Sequence, residues 1–270
     1  MKPPCRCCTR KGKSRKARVI CGCTGRAGDA KSQLILYDYQ PDRKAEHPKE
    51  FLKDFHGYLH VDGYSGYHSL PDEITVVGCW AHVRRKIDEA LKSMPEKARA
   101  GSLAEKAKRY CDRLFALEQD FSELSQEERY ARRQSESEPL MDEFFSLLWS
   151  LHASAKSAFG SAAGYVLGQR KHLQNYLLDG RLEISNNRAE RSIKPFVIGR
   201  KNFLFANTAR GARASAVMYS LVETAKENGI KPYDYVAWLL RTAPGMRLKE
   251  ASEAAVQLTP EAFRREAENK

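Results

Sequence analysis

The chain has 270 residues, of which 42% are hydrophobic and 30% charged, and a formal net charge of +12 at pH 7. This length is enough to bury a core in one large domain or two smaller ones. No apolar run approaches the roughly 20 residues that a membrane-spanning helix needs, and the basic start is not followed by the apolar stretch of a signal peptide. We therefore expect a cytoplasmic protein with no membrane partner.

The positive charge is concentrated in two stretches. Residues 1–18 contain eight Lys or Arg and no acid, residues 186–213 contain seven basic residues and one acid, and the rest of the chain is close to neutral. Charge that serves solubility usually mixes both signs, so the second stretch favours a phosphate-backbone partner, DNA. The expected location is therefore the nucleoid.

The first 30 residues lack apolar periodicity, and we predict no helix or strand there. Five of the seven cysteines fall in this segment, at Cys5, Cys7, Cys8, Cys21 and Cys23. Their spacings, C-x-C-C and C-x-C, differ from the paired C-x2-C of zinc ribbons and fingers. A zinc site is an alternative interpretation of this segment.

The next segment alternates strand and helix patterns. Apolar runs predict strands at 34–39, 57–62 and 74–79, with a short helix over 48–55. A helix is predicted over 80–94, where Val83, Ile87 and Leu91 form one stripe.

Helical patterns fill the rest of the chain. Residues 96–156 are charged and helical, and further helices are predicted over 162–178, around Glu190, over 212–228 with Gly229 as C-cap, and over 232–241. The tail from Pro244 is charged and weakly patterned. This order predicts an α/β core with a helical insertion at about 94–160.

The stretch around Glu190 is the most informative part of the sequence. Asn186, Glu190 and Lys194 are spaced i, i+4 and i+8 and share one helix face, and Asn187 lies three residues before Glu190. One carboxylate among amides and cations favours a metal held next to a polyanion. The alternative is a solvated helix start, with Asn186 or Asn187 as N-cap and Glu190 in a capping box.

Two further positions follow predicted strands. Asp62 ends the second strand, where α/β folds place functional groups, although Asp-Gly is also a common turn. Cys79 and His82 follow the third strand at i, i+3. Two ligands do not make a metal site, and a buried Cys beside a packed His explains them as well.

Several motifs carry a family resemblance. Residues 36–41, 60–67, 78–86 and 186–202 resemble transposases of the insertion-sequence-66 family, and residues 210–226 resemble that family's C-terminal segment. The similarity runs from about residue 33 to about residue 244. It implies an RNase H-like fold with a D-D-E triad that binds two divalent ions, usually Mg²⁺, for DNA cleavage and strand transfer.

The resemblance also implies roles for individual residues. Asp62 matches the second acid and Glu190 the third, so both are expected to be catalytic and to bind metal. Cys79 and His82 resemble a C-x2-H signature, and Asn186 and Asn187 support the site. The expected DNA contacts are basic residues of the second stretch: Arg188, Arg191, Lys194, Arg200 and Lys201. The implied partners are the insertion-element ends, with self-association or a full-length transposase as further partners.

The chain departs from the family pattern at its start. The strand carrying the first acid, D-E-T-x-V-Q-V-L, the following strand ending W-V-Y and the DNA-binding N-terminal region are absent. Asp38, Asp42 and Asp54 do not stand in the matching motif. Codons for residues 1 to about 28, read one base earlier, are compatible with both missing strands. We therefore interpret this segment as an out-of-frame product.

These observations predict an α/β fold with an RNase H-like core that is incomplete because its first strands are missing, leaving sheet edges unpaired. The predicted segments are an atypical tail (1–28), the catalytic core with its insertion (29–197), a C-terminal helical segment (198–245) and a charged tail (246–270). The predicted function is that of a truncated, inactive transposase of a mobile element. The alternatives are a non-catalytic DNA-binding or inhibitory partner of a full-length transposase, and a zinc-binding nucleic-acid module.

Overall fold

The computed structural model describes residues 18–22, 33–42, 44–63, 65–150, 157–203, 208–246 and 257–268. These residues form two compact units. The central unit is Ala45–Asn187, and the terminal unit combines Met1–Lys44 with Arg188–Lys270. Helices predominate, and the strands form two separate two-stranded sheets. The coarse α/β prediction is therefore confirmed for the described residues.

The strands and helices are, in chain order, β1 (Arg18–Gly22), β2 (Leu36–Gln40), α1 (Glu46–Phe51), β3 (Gly57–His60), β4 (Ile74–Val77), α2 (Trp80–Lys92), α3 (Leu103–Asp120), α4 (Gln126–Arg132), α5 (Glu138–Trp149), α6 (Ala158–Gly168), α7 (Arg170–Gln174), α8 (Asn187–Phe203), α9 (Ala209–Glu227), α10 (Pro232–Thr242) and α11 (Pro260–Glu268). A π-helical turn, Arg133–Ser137, joins α4 to α5, and a 3-10 turn, Asn175–Leu178, follows α7.

Local sequence fixes where several helices begin. Ser102 accepts a hydrogen bond from the Glu105 N–H at the start of α3, and Ser157 accepts one from the Gly160 N–H at the start of α6. Ser125 and Glu128 form a reciprocal capping box at the start of α4. These caps satisfy N–H groups that have no acceptor within the helix.

The core of the central unit forms around Trp80. This residue is fully buried, its ring centroid lies 5.5 Å from that of Phe144 and 6.1 Å from that of Phe145, and its Nε1–H donates to the Leu173 carbonyl at 3.0 Å. Val83 and Ile87 of the predicted α2 stripe are buried in the same cluster. The core therefore joins α2 to α5 and α7.

In the central unit β3 and β4 pair in parallel, from Gly57 opposite Ile74 to His60 opposite Val77. The outer edge of β4 is covered by the α7 region. Asn175 Nδ2 donates to the Val76 carbonyl at 2.7 Å, and the Gly78 N–H donates to the His172 carbonyl at 2.8 Å. These outward backbone groups are thus hydrogen-bonded without another strand.

In the terminal unit β1 and β2 pair antiparallel, with Arg18 opposite Gln40 and Gly22 opposite Leu36. The far side of the β2 segment bonds to side chains of α9. Two residues along a strand span about 6.6 Å, and four residues along a helix span about 6.0 Å. Alternate backbone N–H groups of the β2 segment can therefore bond to side chains at every fourth position along α9. The bonds join Tyr37 to Ser220 (2.8 Å), Ile35 to Thr224 (2.9 Å) and Gln33 to Asn228 (3.1 Å).

Four details differ from the sequence prediction. Strand β1 lies in the segment predicted to have no element, because its pairing with β2 is a long-range backbone contact that periodicity does not report. The helix expected over 162–178 is divided into α6, α7 and a 3-10 turn. Helix α11 lies in the weakly patterned tail, where Phe263 packs against Trp238 with ring centroids 5.5 Å apart. Two of the sheet edges, those of β2 and β4, are covered by groups from helical segments, although unpaired edges were expected. The predicted cap at Gly229 is confirmed by its φ of +68°.

Candidate active site

The carboxyl ends of β3 and β4 place two predicted site residues at one edge of the central unit's sheet. Pairing continues one residue beyond β3, because the Val61 N–H donates to the Val77 carbonyl at 3.0 Å. Asp62 follows, partly exposed, and Cys79 follows β4, only 3% exposed. Since the strands are parallel, both residues leave the sheet at the same edge.

Gly63 allows a helix to approach Asp62 closely. A Cβ atom at Gly63 would lie 2.1 Å from the Tyr165 hydroxyl oxygen and 2.7 Å from a ring carbon. Tyr165 belongs to α6, and its hydroxyl accepts a hydrogen bond from the Gly63 N–H. A larger residue at position 63 would therefore clash with the Tyr165 side chain unless that side chain moved.

Tyr165 is a site residue that the sequence prediction missed. Burial, followed by the charges of Cys79 and Asp62, raises its pKa to about 12. Lys86 Nζ lies 4.4 Å from the centroid of its ring, within the range of a cation–π contact. A tyrosine in an apolar helix looks like an ordinary core residue, so no signal in the sequence marked it.

Cys79 is brought together with the segment that precedes Glu190. Its Sγ accepts a hydrogen bond from the Asn186 N–H at 3.2 Å, and the neighbouring Trp80 N–H donates to the Ile184 carbonyl at 3.1 Å. His82 is half-buried in the first turn of α2, with its own N–H bonded to the Cys79 carbonyl. Cys79 and His82 thus both take part in hydrogen bonds at the start of α2.

The helical insertion holds the stretch that leads to Asn186. Arg133, from the π-helical turn, is fully buried and binds Glu118 through two hydrogen bonds of 2.8 and 2.5 Å. Its remaining donors bond to three main-chain carbonyls, those of Tyr176 (3.1 Å), Asp179 (2.8 Å) and Leu182 (2.7 Å). All five donors of the guanidinium are used. This role was not predictable from the sequence, because an arginine in a charged helical segment normally faces solvent.

Glu190 lies in the first turn of α8, in the terminal unit, and is half-buried. The helix begins at Asn187, so Asn186 occupies the position immediately before it. Phe196 is the buried anchor of α8, with its ring centroid 4.9 Å from that of Tyr219 on α9. Asp62 belongs to the central unit.

The predicted DNA-contacting residues differ in exposure. Arg191 and Lys194 are exposed on α8, whereas Arg188 is largely covered and lies 3.6 Å from a Glu227 carboxylate oxygen. The side chains of Arg200 and Lys201 lie outside the described residues. Helix α8 therefore presents at least two cations to solvent.

The described residues do not include a complete metal site. Within these ranges no three His, Cys, Asp or Glu side chains come together closely enough to hold an ion. Carboxylates such as Asp62 and Glu190 are suitable ligands for Mg²⁺, but two of them in separate units do not make up the expected triad. The zinc alternative depends on side chains that lie outside the described residues.

Comparison with known proteins identifies the family. The sequence model described as Transposase IS66 family matches residues 4–214, and the IS66 C-terminal element matches residues 220–255. The chain belongs to the IS66 transposase family. None of the described helices is long and apolar enough to cross a membrane.

Related proteins are found in Sinorhizobium fredii. The uncharacterized protein y4qI is 33% identical over 236 residues, which cover 83% of this chain and 43% of that protein. The uncharacterized protein y4hP is 34% identical over 229 residues, covering 79% of this chain and 41% of that protein. The chain thus spans about two fifths of the length of these relatives. No solved structure matches it significantly.

Proposed function

We propose that the chain is a DNA-binding part of a transposase that cannot complete catalysis by itself, because the strand bearing the first acid is missing. The observation that supports this most is the state of the sheet edges. Each two-stranded sheet has one edge bonded to groups from helical segments, whereas β1 and β3 have no second strand partner among the described residues. In the RNase H-like fold implied by the resemblance, the missing strands are central, and their loss would leave such edges.

Asp62 and Glu190 are, in this proposal, the two remaining acids of the triad. Asp62 lies just after a strand and Glu190 lies in the first turn of a helix, and these locations support the assignment. Without the first acid, a pair of Mg²⁺ ions would lack a shared ligand, so cleavage and strand transfer would not proceed. Asn186 would support Glu190 by fixing the start of α8 through its hydrogen bond to Cys79.

DNA binding is assigned to the basic face of α8. Arg191 and Lys194 are exposed and would contact phosphates of the insertion-element ends, together with Arg188, Arg200 and Lys201. Phosphate contacts release counterions, so the affinity should fall steeply with salt. A nucleoid location would follow from the same charge.

The test is DNA binding by fluorescence anisotropy over a range of salt concentrations. We expect the double variant Arg191→Ala, Lys194→Ala to reduce the slope of log K against log salt by about 1.8, since each phosphate contact contributes about 0.9. A matched control removes two exposed cations of the insertion, Lys97→Ala and Lys106→Ala, and should leave the slope unchanged. Equal slopes for both double variants would refute the assignment of α8.

A second candidate is an inhibitory partner of a full-length transposase, favoured by the same combination of an exposed basic helix and a missing acid. Asp62→Ala and Glu190→Ala separate this role from a catalytic one. Under the binding role their DNA affinity stays unchanged, and the chain lowers the activity of an intact transposase in a mixed reaction. Loss of a cleavage activity in either variant would instead identify an enzyme.

The out-of-frame interpretation of residues 1–28 is tested by the coding DNA. The family match begins at residue 4, so it includes most of this segment. Sequencing from about 100 bases upstream should reveal the first-acid strand in the shifted frame, joined to an upstream open frame. Stop codons in that frame would refute the interpretation and favour a genuine cysteine-rich tail.

A further inference from the structure

We propose that the exposed face of α10 pairs with α10 of a second copy of this chain, with the two helices antiparallel. This inference goes beyond DNA binding, because it assigns a self-association surface within the terminal unit. The surface includes none of the residues assigned to DNA or to the acid triad.

The inner face of α10 is fixed by packing. Its residues Tyr235, Trp238 and Leu239 are buried in a cluster with side chains of α9 and α11. The Tyr235 hydroxyl donates to the Leu258 carbonyl at 2.7 Å, and Trp238 Nε1–H donates to a Glu266 carboxylate oxygen at 2.6 Å. These contacts determine which side of the helix faces outward.

The outer face of α10 is also apolar. Tyr233, Val236, Ala237 and Leu240 are spaced i, i+3, i+4 and i+7, so they form one stripe. Tyr233 is 83% exposed and Leu240 71%, whereas Val236 and Ala237 are half-buried. A surface helix with one buried face normally carries polar residues opposite that face. A continuous apolar stripe in that place indicates contact with another apolar surface.

Two opposite charges flank this stripe. Asp234 and Arg241 are both exposed and stand seven residues apart, which is about two helical turns, so they lie on the same side of the stripe. Within the described ranges Asp234 forms no ion pair, and the Arg241 guanidinium bonds only to the Ala237 carbonyl, at 3.2 Å. Both charges are therefore available to a partner.

This pattern is complementary to itself in one orientation. In a two-fold symmetric pair each contact occurs twice, with the two residues exchanged between the copies. When two α10 helices are antiparallel, Tyr233 of each copy lies near Leu240 of the other, and Asp234 lies near Arg241 of the other. A parallel pair would instead place like charges opposite each other, which disfavours it. The charges thus favour an antiparallel second copy as the occupant.

The expected dimer is weak and reversible. A pair of three-turn helices buries less surface than the roughly 1,000 Å² that a stable interface needs. We therefore expect a dissociation constant on the order of 10⁻⁵ to 10⁻⁴ M.

The first experiment is sedimentation equilibrium of the full chain without DNA, over protein concentrations that span this range. Leu240→Ser removes an apolar side chain from the stripe and should weaken the dimer about tenfold or more. The matched control is Val217→Ser on α9, where the side chain is 57% exposed. It should change the dissociation constant by less than about twofold.

Charge reversal tests the antiparallel orientation. Asp234→Arg alone and Arg241→Asp alone each place like charges opposite each other in a homodimer, and each should weaken it about fivefold or more at low salt. In an equimolar mixture of the two variants both contacts become complementary again. We expect the mixture to form a heterodimer nearly as tight as the unchanged homodimer, detected by sedimentation with one variant fluorescently labelled.

The mixture also separates pairing from helix stability. Asp234 in the first turn and Arg241 in the last turn suit the helix dipole, so each reversal also weakens α10 itself. Circular dichroism of each variant measures that effect, and mixing does not reverse it. Restored association in the mixture therefore reports contact between the two copies.

Three results would overturn the inference. They are a chain that stays monomeric at the highest concentration, a dimer that Leu240→Ser leaves unchanged, and a mixture that associates no more tightly than the single variants. DNA binding is measured on the same samples. A monomeric chain whose DNA binding still depends on Arg191 and Lys194 refutes this inference alone, whereas a dimer whose DNA binding does not depend on them refutes the proposed role of α8 alone.

Discussion

Replacing Arg133 by methionine should destabilise the central unit strongly, because it leaves a buried charge without its partner. The Arg133 side chain is 1% exposed and that of Glu118 11%. Methionine fills a similar volume but provides no donor for Glu118 or for the three carbonyls that the guanidinium binds. Breaking a buried pair in this way typically costs about 3–5 kcal/mol.

A second variant separates the charge from the carbonyls. Adding Glu118→Leu to Arg133→Met removes the unpaired carboxylate, and we expect it to recover the part of the loss that is due to the unpaired charge. What remains is the cost of carbonyls without donors, about 1–3 kcal/mol for a buried acceptor. The neighbouring Arg132→Met is the control. Arg132 is half exposed and paired with Glu136 on the surface, so its loss should not be measurable.

Hydrogen exchange followed by mass spectrometry is the suitable assay, because it reports the two units separately. Arg133→Met should lower protection in α3, in the π-helical turn and in residues 176–182, and leave α9 and α10 unchanged. Equal protection in Arg133→Met and Arg132→Met would refute the view that this arginine holds the stretch leading to Asn186.

Three further predictions concern single sites. Gly63→Ala should displace the Tyr165 side chain and lower the melting temperature, as differential scanning calorimetry can measure. In a Tyr165→Ala background the same substitution should lower it less, and an equal decrease in both backgrounds would exclude the clash as the cause. Burial raises the pKa of Cys111 to about 12. In the folded chain, iodoacetamide at pH 8 should therefore not modify this thiol. Rapid labelling of Cys111, located by mass spectrometry, would contradict its burial. Burial, with a smaller effect of the Arg133 charge, lowers the pKa of His60 from 6.5 to about 4. As the pH drops from 6.5 to 4, the unfolded chain therefore binds a proton at His60 before the folded chain does. The free energy of unfolding should fall over this range, on the order of 3 kcal/mol in total. His60→Leu should flatten that pH dependence in urea unfolding, and an unchanged slope would refute it.

The sequence predicted those features that depend on local pattern. The strands leading to Asp62 and Cys79, the stripe of Val83 and Ile87, and the Gly229 cap all follow from periodicity and turn chemistry, and each lies close to where it was expected. The family followed from long motifs in a fixed order, and the comparisons confirm it.

Features that depend on long-range contacts were not predictable in this way. Arg133 is buried because α3 and the stretch 176–182 meet around it, whereas its neighbours in sequence, Arg132 and Gln134, are not buried. Tyr165 lies against Gly63, next to Asp62, in space that is open because residue 63 has no side chain. Strand β1 depends on a partner 14 to 22 positions away in the chain. In each case the determining group lies outside the window that a periodicity analysis covers.

The most direct test of the central claim is a cleavage and strand-transfer assay with the purified chain, Mg²⁺ and DNA carrying the ends of the insertion element. On the proposal that the first acid of the triad is missing, we predict DNA binding without any cleaved or joined product. Mg²⁺-dependent product that disappears in Asp62→Ala and Glu190→Ala would contradict this claim and show that the chain has a complete active site.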